Sequence, residues 1–153
     1  AIREDGNAHV GTMASRPGTD WVIPWLTAPE RTFTPQAITF QTRGAPVSSL
    51  LSEFETAELD VAEWGGPDLG RAFGQLLDGV NLGKVFHRNQ PVLDVAAGTA
   101  VMKKLGDTYV IDRVNSPGDA SPLVAVAGAY WLMKNPPAVP EPRIRTLRRR
   151  ARG

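Results

Sequence analysis

The side chains best suited to metal chemistry in this chain are acids that follow predicted strands, Asp107, Asp112 and Asp119. Asp119 precedes a long apolar run, SPLVAVAGAYWLM, which is typical of a buried helix. Carboxylates that converge from strands and a helix hold the ions of phosphodiester-cleaving enzymes. A carboxylate at this place can instead accept hydrogen bonds from the free N–H groups at the start of the helix. These residues leave both interpretations open.

Other kinds of site are disfavoured by composition. The chain has no cysteine, so it has neither disulfides nor thiolate metal ligands, and its two histidines, His9 and His87, argue against a histidine-rich zinc site. It contains no GxGxxG, GxxxxGK[ST], GxSxG or HExxH motif. A bound metal is therefore expected to be a hard cation such as Mg²⁺ or Mn²⁺ held by oxygen ligands.

Charge is distributed unevenly along the 153 residues, although the net charge is only +1. The last eleven residues, RIRTLRRRARG, hold six of the 17 bases and none of the 16 acids, which leaves a net charge of −5 on the other 142 residues. We predict a folded domain over 1–134 and a Pro-rich linker with a disordered basic tail over 135–153. The tail is suited to phosphate or to an acidic protein surface, or it serves only solubility.

The elements that must position these residues alternate between strands and helices. Asp5-Gly6 predicts a hairpin near the start, and QAITFQTRG predicts a buried central strand. Helices are predicted from apolar periodicity near 47–57, 66–81, 91–101 and 121–133, with a strand at TYVIDR. This alternation predicts an α/β fold with helices on both faces of a mixed sheet. No apolar run is long enough to span a membrane, and the chain begins inside a predicted strand, as if cut from a longer protein.

A resemblance to a known family rests on ordered blocks of sequence. The blocks are RPGTDWVIPWL, ITFQTRGAPVSSLLSEFE, GRAFGQLLDGV, VFHRNQPVLDVAAGTAVMKKLGDTYVIDR and DASPLVAVAGAYWL. From about His9 to Met133 they resemble the C-terminal nuclease domain of tailed-phage terminase large subunits, of the type found in actinobacterial phages and prophages. The resemblance implies an RNase H-like fold that cuts concatemeric double-stranded DNA during packaging, in the cytoplasm of the bacterial host. It also implies three partners, namely the portal protein, the terminase small subunit and an N-terminal packaging ATPase.

The family pattern of metal ligands can be carried over position by position. The resemblance implies three acids that bind two Mg²⁺ or Mn²⁺ ions. Asp119 matches the acid at the start of the last helix and is the predicted catalytic residue and metal ligand, with Asp112 as a supporting acid. The middle acid corresponds to Gln41 in TFQTRG, and an amide is a poorer ligand for a hard dication than a carboxylate. The first acid is expected on a strand that would precede Ala1, so the predicted sheet lacks its first strand.

Basic residues near these positions are candidates for DNA contacts. Arg43 follows Gln41 and can bind a phosphate or form a structural salt bridge. His87 and Arg88 lie in FHRNQP, which we place on a loop, and for His87 the alternatives are a structural role and a DNA contact. For Asp112, a salt bridge with Arg113 or Arg88 is the alternative to metal binding. The remaining candidates belong to the tail: Arg148, Arg149 and Arg150.

Three functions compete on this sequence. The first is a metal-dependent endonuclease within a DNA-packaging terminase. The second is a catalytically degenerate nuclease fold that binds DNA or docks on the portal or capsid, which the glutamine at position 41 and the arginine-rich tail favour. The third is an RNase H-like scaffold used in recombination or junction resolution.

Overall fold

The computed structural model describes residues 1–137, which form six strands, five α-helices and one 3-10 helix. The strands are β1 Ala8–Val10, β2 Ile38–Gln41, β3 Val61–Trp64, β4 Val85–His87, β5 Met102–Leu105 and β6 Thr108–Ile111. The α-helices are α1 Val22–Thr27, α2 Leu51–Thr56, α3 Pro67–Asn81, α4 Pro91–Thr99 and α5 Ser121–Lys134. The 3-10 helix, Pro46–Leu50, leads directly into α2.

The strands pair two by two rather than in one continuous sheet. Strand β1 pairs in parallel with β4, β2 pairs in parallel with β3, and β5 pairs antiparallel with β6, so the described part of the chain holds three two-stranded sheets. The expected α/β class is confirmed, but the expected single mixed sheet is not formed within residues 1–137. The helix α5 packs against both β1 and β2, although these two strands share no hydrogen-bonded ladder.

The predicted hairpin at the amino end is confirmed. Arg3 N–H donates to the Asn7 carbonyl oxygen over 2.8 Å, and Gly6 N–H donates to the Arg3 carbonyl oxygen over 3.0 Å. Gly6 has a φ of 78°, which only glycine adopts without strain, and this explains the Asp5-Gly6 signal in the sequence. An antiparallel bridge between Ile2 and Ala8 then aligns β1 beside the first residues of the chain.

The core lies between α3, α5 and the inner faces of the short sheets. From α3 it takes Phe73 and Leu76, whereas Leu77 and Val80, predicted on the same apolar stripe, are 59% and 54% exposed. The buried side of α3 is narrower than the predicted apolar face, so residues at the edge of that face remain exposed to water. Most of the buried residues of α5 face this core, which confirms the predicted final helix.

Close approach between α5 and β3 depends on a glycine. The indole of Trp64, 2% exposed, lies so near Gly128 that an added Cβ would come within 2.9 Å of the ring. Trp131, one turn further along α5, stacks on the same indole with ring centroids 6.5 Å apart. The small residue at position 128 therefore lets the helix pack directly on the end of β3.

Several predicted elements differ from the structure. The strand β2 is half-buried in a two-stranded sheet, not a fully buried central strand. The helix that we expected to reach Val101 ends earlier, since α4 ends at Thr99. Residues 102–105, MKKL, then form the exposed strand β5, which was not expected. His87 ends strand β4 and is not on a loop. Within residues 1–137 no helix is both long and apolar enough to cross a bilayer.

Candidate functional site

Asp119 lies immediately before the N-terminus of α5 and is exposed. Its Oδ1 accepts a hydrogen bond from the backbone N–H of Ser121 over 2.9 Å. This contact satisfies one of the free N–H groups of the first helical turn, so the helix-start interpretation is correct for Oδ1. Oδ2 accepts no hydrogen bond within residues 1–137, and solvent or a cation can reach it because the side chain is exposed.

Asp112 follows β6 and is 6% exposed, with donors on both of its carboxylate oxygens. Asn115 Nδ2 donates to Oδ2 over 2.6 Å, while Val114 N–H (3.2 Å) and Lys103 Nζ (3.4 Å) donate to Oδ1. The Asn115 side chain, helped by the Asn115 N–H and Lys103, lowers the pKa of Asp112 against the opposing effect of burial. The carboxylate therefore fixes the turn after β6, and metal binding by Asp112 has to compete with these donors.

The salt bridge of Asp112 is made with Lys103, not with Arg113 or Arg88. Arg113 is engaged elsewhere, because its guanidinium donates to Gln41 Oε1 and to the Gly44 carbonyl oxygen. Lys103 lies on β5 directly opposite Val110, and Val110 precedes Asp112 by two residues. The Lys103 side chain therefore lies on the same face of the hairpin as the Asp112 carboxylate. The sequence carries a signal for this pair, since KKLGDTYVID has the spacing of a short hairpin that brings its ends together.

Gln41 ends β2 and is joined to the segment after β6 by Arg113. The guanidinium donates from Nη2 to Gln41 Oε1 over 3.4 Å and to the Gly44 carbonyl oxygen over 3.1 Å. The amide of Gln41 also donates from Nε2 to the Arg43 carbonyl oxygen over 2.9 Å. Arg113 thus links the end of β2 to the turn after Asp112, and both polar atoms of Gln41 are engaged in hydrogen bonds.

The candidate DNA contacts within the described range are exposed. Neither Arg43 nor Arg88 forms an ion pair within residues 1–137, so the alternative structural salt bridge of Arg43 is not made there. His87 Nδ1–H donates to the Arg88 carbonyl oxygen over 2.8 Å, and the same nitrogen lies 3.9 Å from Asp94 Oδ1. Arg148, Arg149 and Arg150 lie outside the described residues.

The side chains of residues 1–137 do not by themselves fit a two-ion centre. Nowhere in this range do three histidine, aspartate or glutamate side chains converge in a way that could hold a metal. A hydrated Mg²⁺ or Mn²⁺ ion is commonly held through only one or two carboxylates, and Asp119 offers one free oxygen for such an ion. A two-ion centre therefore needs carboxylates beyond those that residues 1–137 bring together.

Comparison with known proteins places the fold. No family model and no curated protein matches the chain. Among solved structures, the crystal structure of the HK97 bacteriophage large terminase matches with a TM-score of 0.54 over 65% of this chain, at 22% sequence identity. The chain has a terminase-like fold. The matched part makes up 21% of the HK97 large terminase chain, so the likeness concerns a limited part of that protein.

The terminase-like fold agrees with the family resemblance that the ordered blocks of sequence carry. Two partners of the predicted site residues were not anticipated from the sequence: Lys103, which binds Asp112, and the Arg113 contact with Gln41. The second contact joins residues 72 positions apart, and nothing in the local pattern predicts such a pair.

Proposed function

We propose that this chain is the nuclease part of a phage-type DNA-packaging terminase and cleaves double-stranded DNA with the help of Mg²⁺ or Mn²⁺. The observation that carries the proposal is the terminase-like fold, which coincides with Asp119 at the start of α5. In this proposal Asp119 binds the metal through its free oxygen, and the packaging ATPase, the portal protein and the small subunit are the partners.

The residues of the chain have separate roles in this function. Asp119 is held in place because its other oxygen is tied to Ser121 N–H. Arg43, Arg88 and His87 are exposed and supply donors for phosphate oxygens. The divalent ion, when bound, lowers the pKa of a coordinated water and stabilises the charge that develops on the leaving oxygen.

The test is nicking of a supercoiled plasmid in Mn²⁺ by the chain and by two variants, Asp119→Asn and Asp119→Ala. Asparagine keeps an acceptor for Ser121 N–H, whereas alanine removes it at a cost of about 1 kcal/mol. We expect both variants to lose Mn²⁺-dependent nicking and only the alanine variant to lose stability. Nicking by Asp119→Asn at the rate of the unchanged chain would exclude Asp119 as the metal ligand.

A second function is favoured by a specific observation at Gln41. Its amide is neutral and bonded to Arg113 and the Arg43 backbone, which is the arrangement of a structural residue and not of a metal ligand. On this reading the chain keeps the nuclease fold as a DNA-binding or portal-docking module without cleavage. It predicts no Mn²⁺-dependent nicking at all by the unchanged chain.

Calorimetry with Mn²⁺ on the chain and on Gln41→Glu separates the two functions. For the nuclease we expect one ion per chain. If position 41 contributes to the ion site, as the family resemblance implies, Gln41→Glu should bind at least about tenfold more tightly, because a charged oxygen replaces an amide. The non-catalytic module predicts no binding by the unchanged chain. Gln41→Glu also loses the amide hydrogen bond to the Arg43 carbonyl oxygen, so unfolding of both proteins in urea is measured beside the calorimetry to report that loss separately.

A further inference from the structure

We propose that a small pocket at the C-terminal end of α5 binds a backbone phosphate of nucleic acid, as a contact separate from the Asp119 site; this rests on the proposed DNA-related function. The pocket lies between the amino-terminal hairpin, the start of β4 and the last turn of α5. It has a volume of about 90 Å³ and is partly open to solvent. Lys84 and Lys134 both line it.

The two lysines are not neutralised by the protein. Both are exposed, and neither has an acidic partner within ion-pair distance among residues 1–137. The nearby hairpin acid Asp5 is engaged instead with Arg3, over 3.4 Å, and with Asn7 N–H, over 3.0 Å. The pocket therefore presents two free ammonium groups on its rim.

A buried aromatic side chain forms part of the pocket wall. Tyr130 is 3% exposed and lines the cavity, and Lys134 Nζ lies 5.5 Å from the centre of its ring. None of the side-chain hydrogen bonds within residues 1–137 uses the Tyr130 hydroxyl. The apolar side chains of Ile2 and Met133 form the rest of the wall, and they offer nothing that competes with an anion for the lysines.

Size and charge select an oxyanion group. A volume of about 90 Å³ is large enough for several water molecules and accommodates a phosphate group. The C-terminal end of α5 carries partial negative charge on its last carbonyl groups. The attraction for an anion therefore comes from Lys84 and Lys134 and not from the helix.

The pocket is well separated from Asp119 along α5. A helix rises 1.5 Å per residue, so Ser121 and Lys134 lie about 20 Å apart. On double-stranded DNA this distance is about six base pairs at 3.4 Å each. The pocket is therefore a contact distinct from the Asp119 site, at the opposite end of the same helix.

The experiment uses the full chain in EDTA, so that no metal-dependent step contributes. Backbone amide signals of Gly6, Ala8 and Lys84 are followed by NMR while inorganic phosphate is added, in the chain and in Lys84→Ala/Lys134→Ala. A 20-base-pair duplex is then titrated against bound phosphate, and its affinity is measured between 50 and 200 mM salt. The control variant, Lys104→Ala/Arg71→Ala, removes the same charge from exposed positions elsewhere.

We expect the NMR signals at the pocket to shift saturably with phosphate, and these shifts to vanish only in the double-lysine variant. The duplex should displace the bound phosphate. In the double-lysine variant, the slope of log affinity against log salt should be lower by about one to two. No shift, or equal shifts in both double variants, would overturn the site. Phosphate binding without displacement by the duplex would overturn its assignment to nucleic acid. Failure of the nuclease function would instead appear in the Mn²⁺ nicking assay, which this experiment does not use.

Discussion

At the scale of single residues, Asp119 and Asp112 differ in what their carboxylate oxygens remain free to bind. One oxygen of Asp119 accepts a hydrogen bond from Ser121 N–H, and the other is accessible to solvent. Asp112 is nearly buried and accepts from Asn115, Val114 and Lys103. A carboxylate surrounded by donors is stabilised in its charged form, and releasing it to a cation would leave those donors unpaired.

The lowered pKa of Asp112 makes a prediction about stability and pH. Because the folded-state pKa lies below the ordinary value of 3.8, the charged carboxylate stabilises the fold above pH 3.8. That contribution is lost as the pH falls through the lower folded value. We expect Asp112→Asn to be less stable than the unchanged chain at pH 7, with the gap narrowing below pH 3.8. Urea unfolding of both proteins from pH 7 to pH 2.5 measures it, and a gap that is constant with pH would contradict this role.

At the scale of elements, the contact between α5 and β3 fixes how the helix that follows Asp119 lies on the fold. Gly128→Ala would push a methyl group to 2.9 Å from the Trp64 ring, which is fully packed. We expect a loss of about 1–3 kcal/mol in the free energy of unfolding, from overpacking. Gly74→Ala on α3 is the matched control, because nothing lies within 4 Å of its added Cβ. That variant should gain about 0.5–1 kcal/mol. Equal effects of the two substitutions in chemical unfolding would show that α5 does not pack closely on Trp64.

The elements predicted well from the sequence are those with long or specific local patterns. Helices α3 and α5 have apolar periodicity over 15 and 14 residues, and the first hairpin has its Asp5-Gly6 turn. The strands β4 and β5 were missed because they have three and four residues, and MKKL in β5 is exposed throughout and lacks an alternating pattern. Pairing of strands into separate sheets depends on contacts far apart in the chain, which periodicity does not record.

The same limit applies to the candidate site. The position of Asp119 before a helix follows from the apolar run behind it, and the structure places it there. The link from Arg113 to Gln41 does not follow, because it joins two loops through the tertiary fold.

At the scale of the whole molecule, charge is divided between an acidic body and a basic tail. The last eleven residues carry six arginines, while the other 142 residues have a net charge of −5. A body of that sign repels the phosphate backbone at long range, so only local groups such as Lys84, Lys134 and Arg43 favour DNA there. If the chain binds DNA, the tail therefore supplies much of the salt-dependent affinity.

This charge distribution makes a prediction for Arg148, Arg149 and Arg150. Each phosphate contact that is lost lowers the slope of log affinity against log salt by about 0.9, so replacing all three with glutamine should lower the slope by about three. Fluorescence anisotropy with a labelled duplex between 50 and 200 mM salt measures the slope. Arg71→Gln serves as the control for one lost charge on the body, where the guanidinium is already paired with Asp68 over 3.2 Å. An unchanged slope in the triple variant would mean that these three arginines release no counterions from DNA. If the same variant also bound the portal protein more weakly, the tail would be assigned to a protein partner.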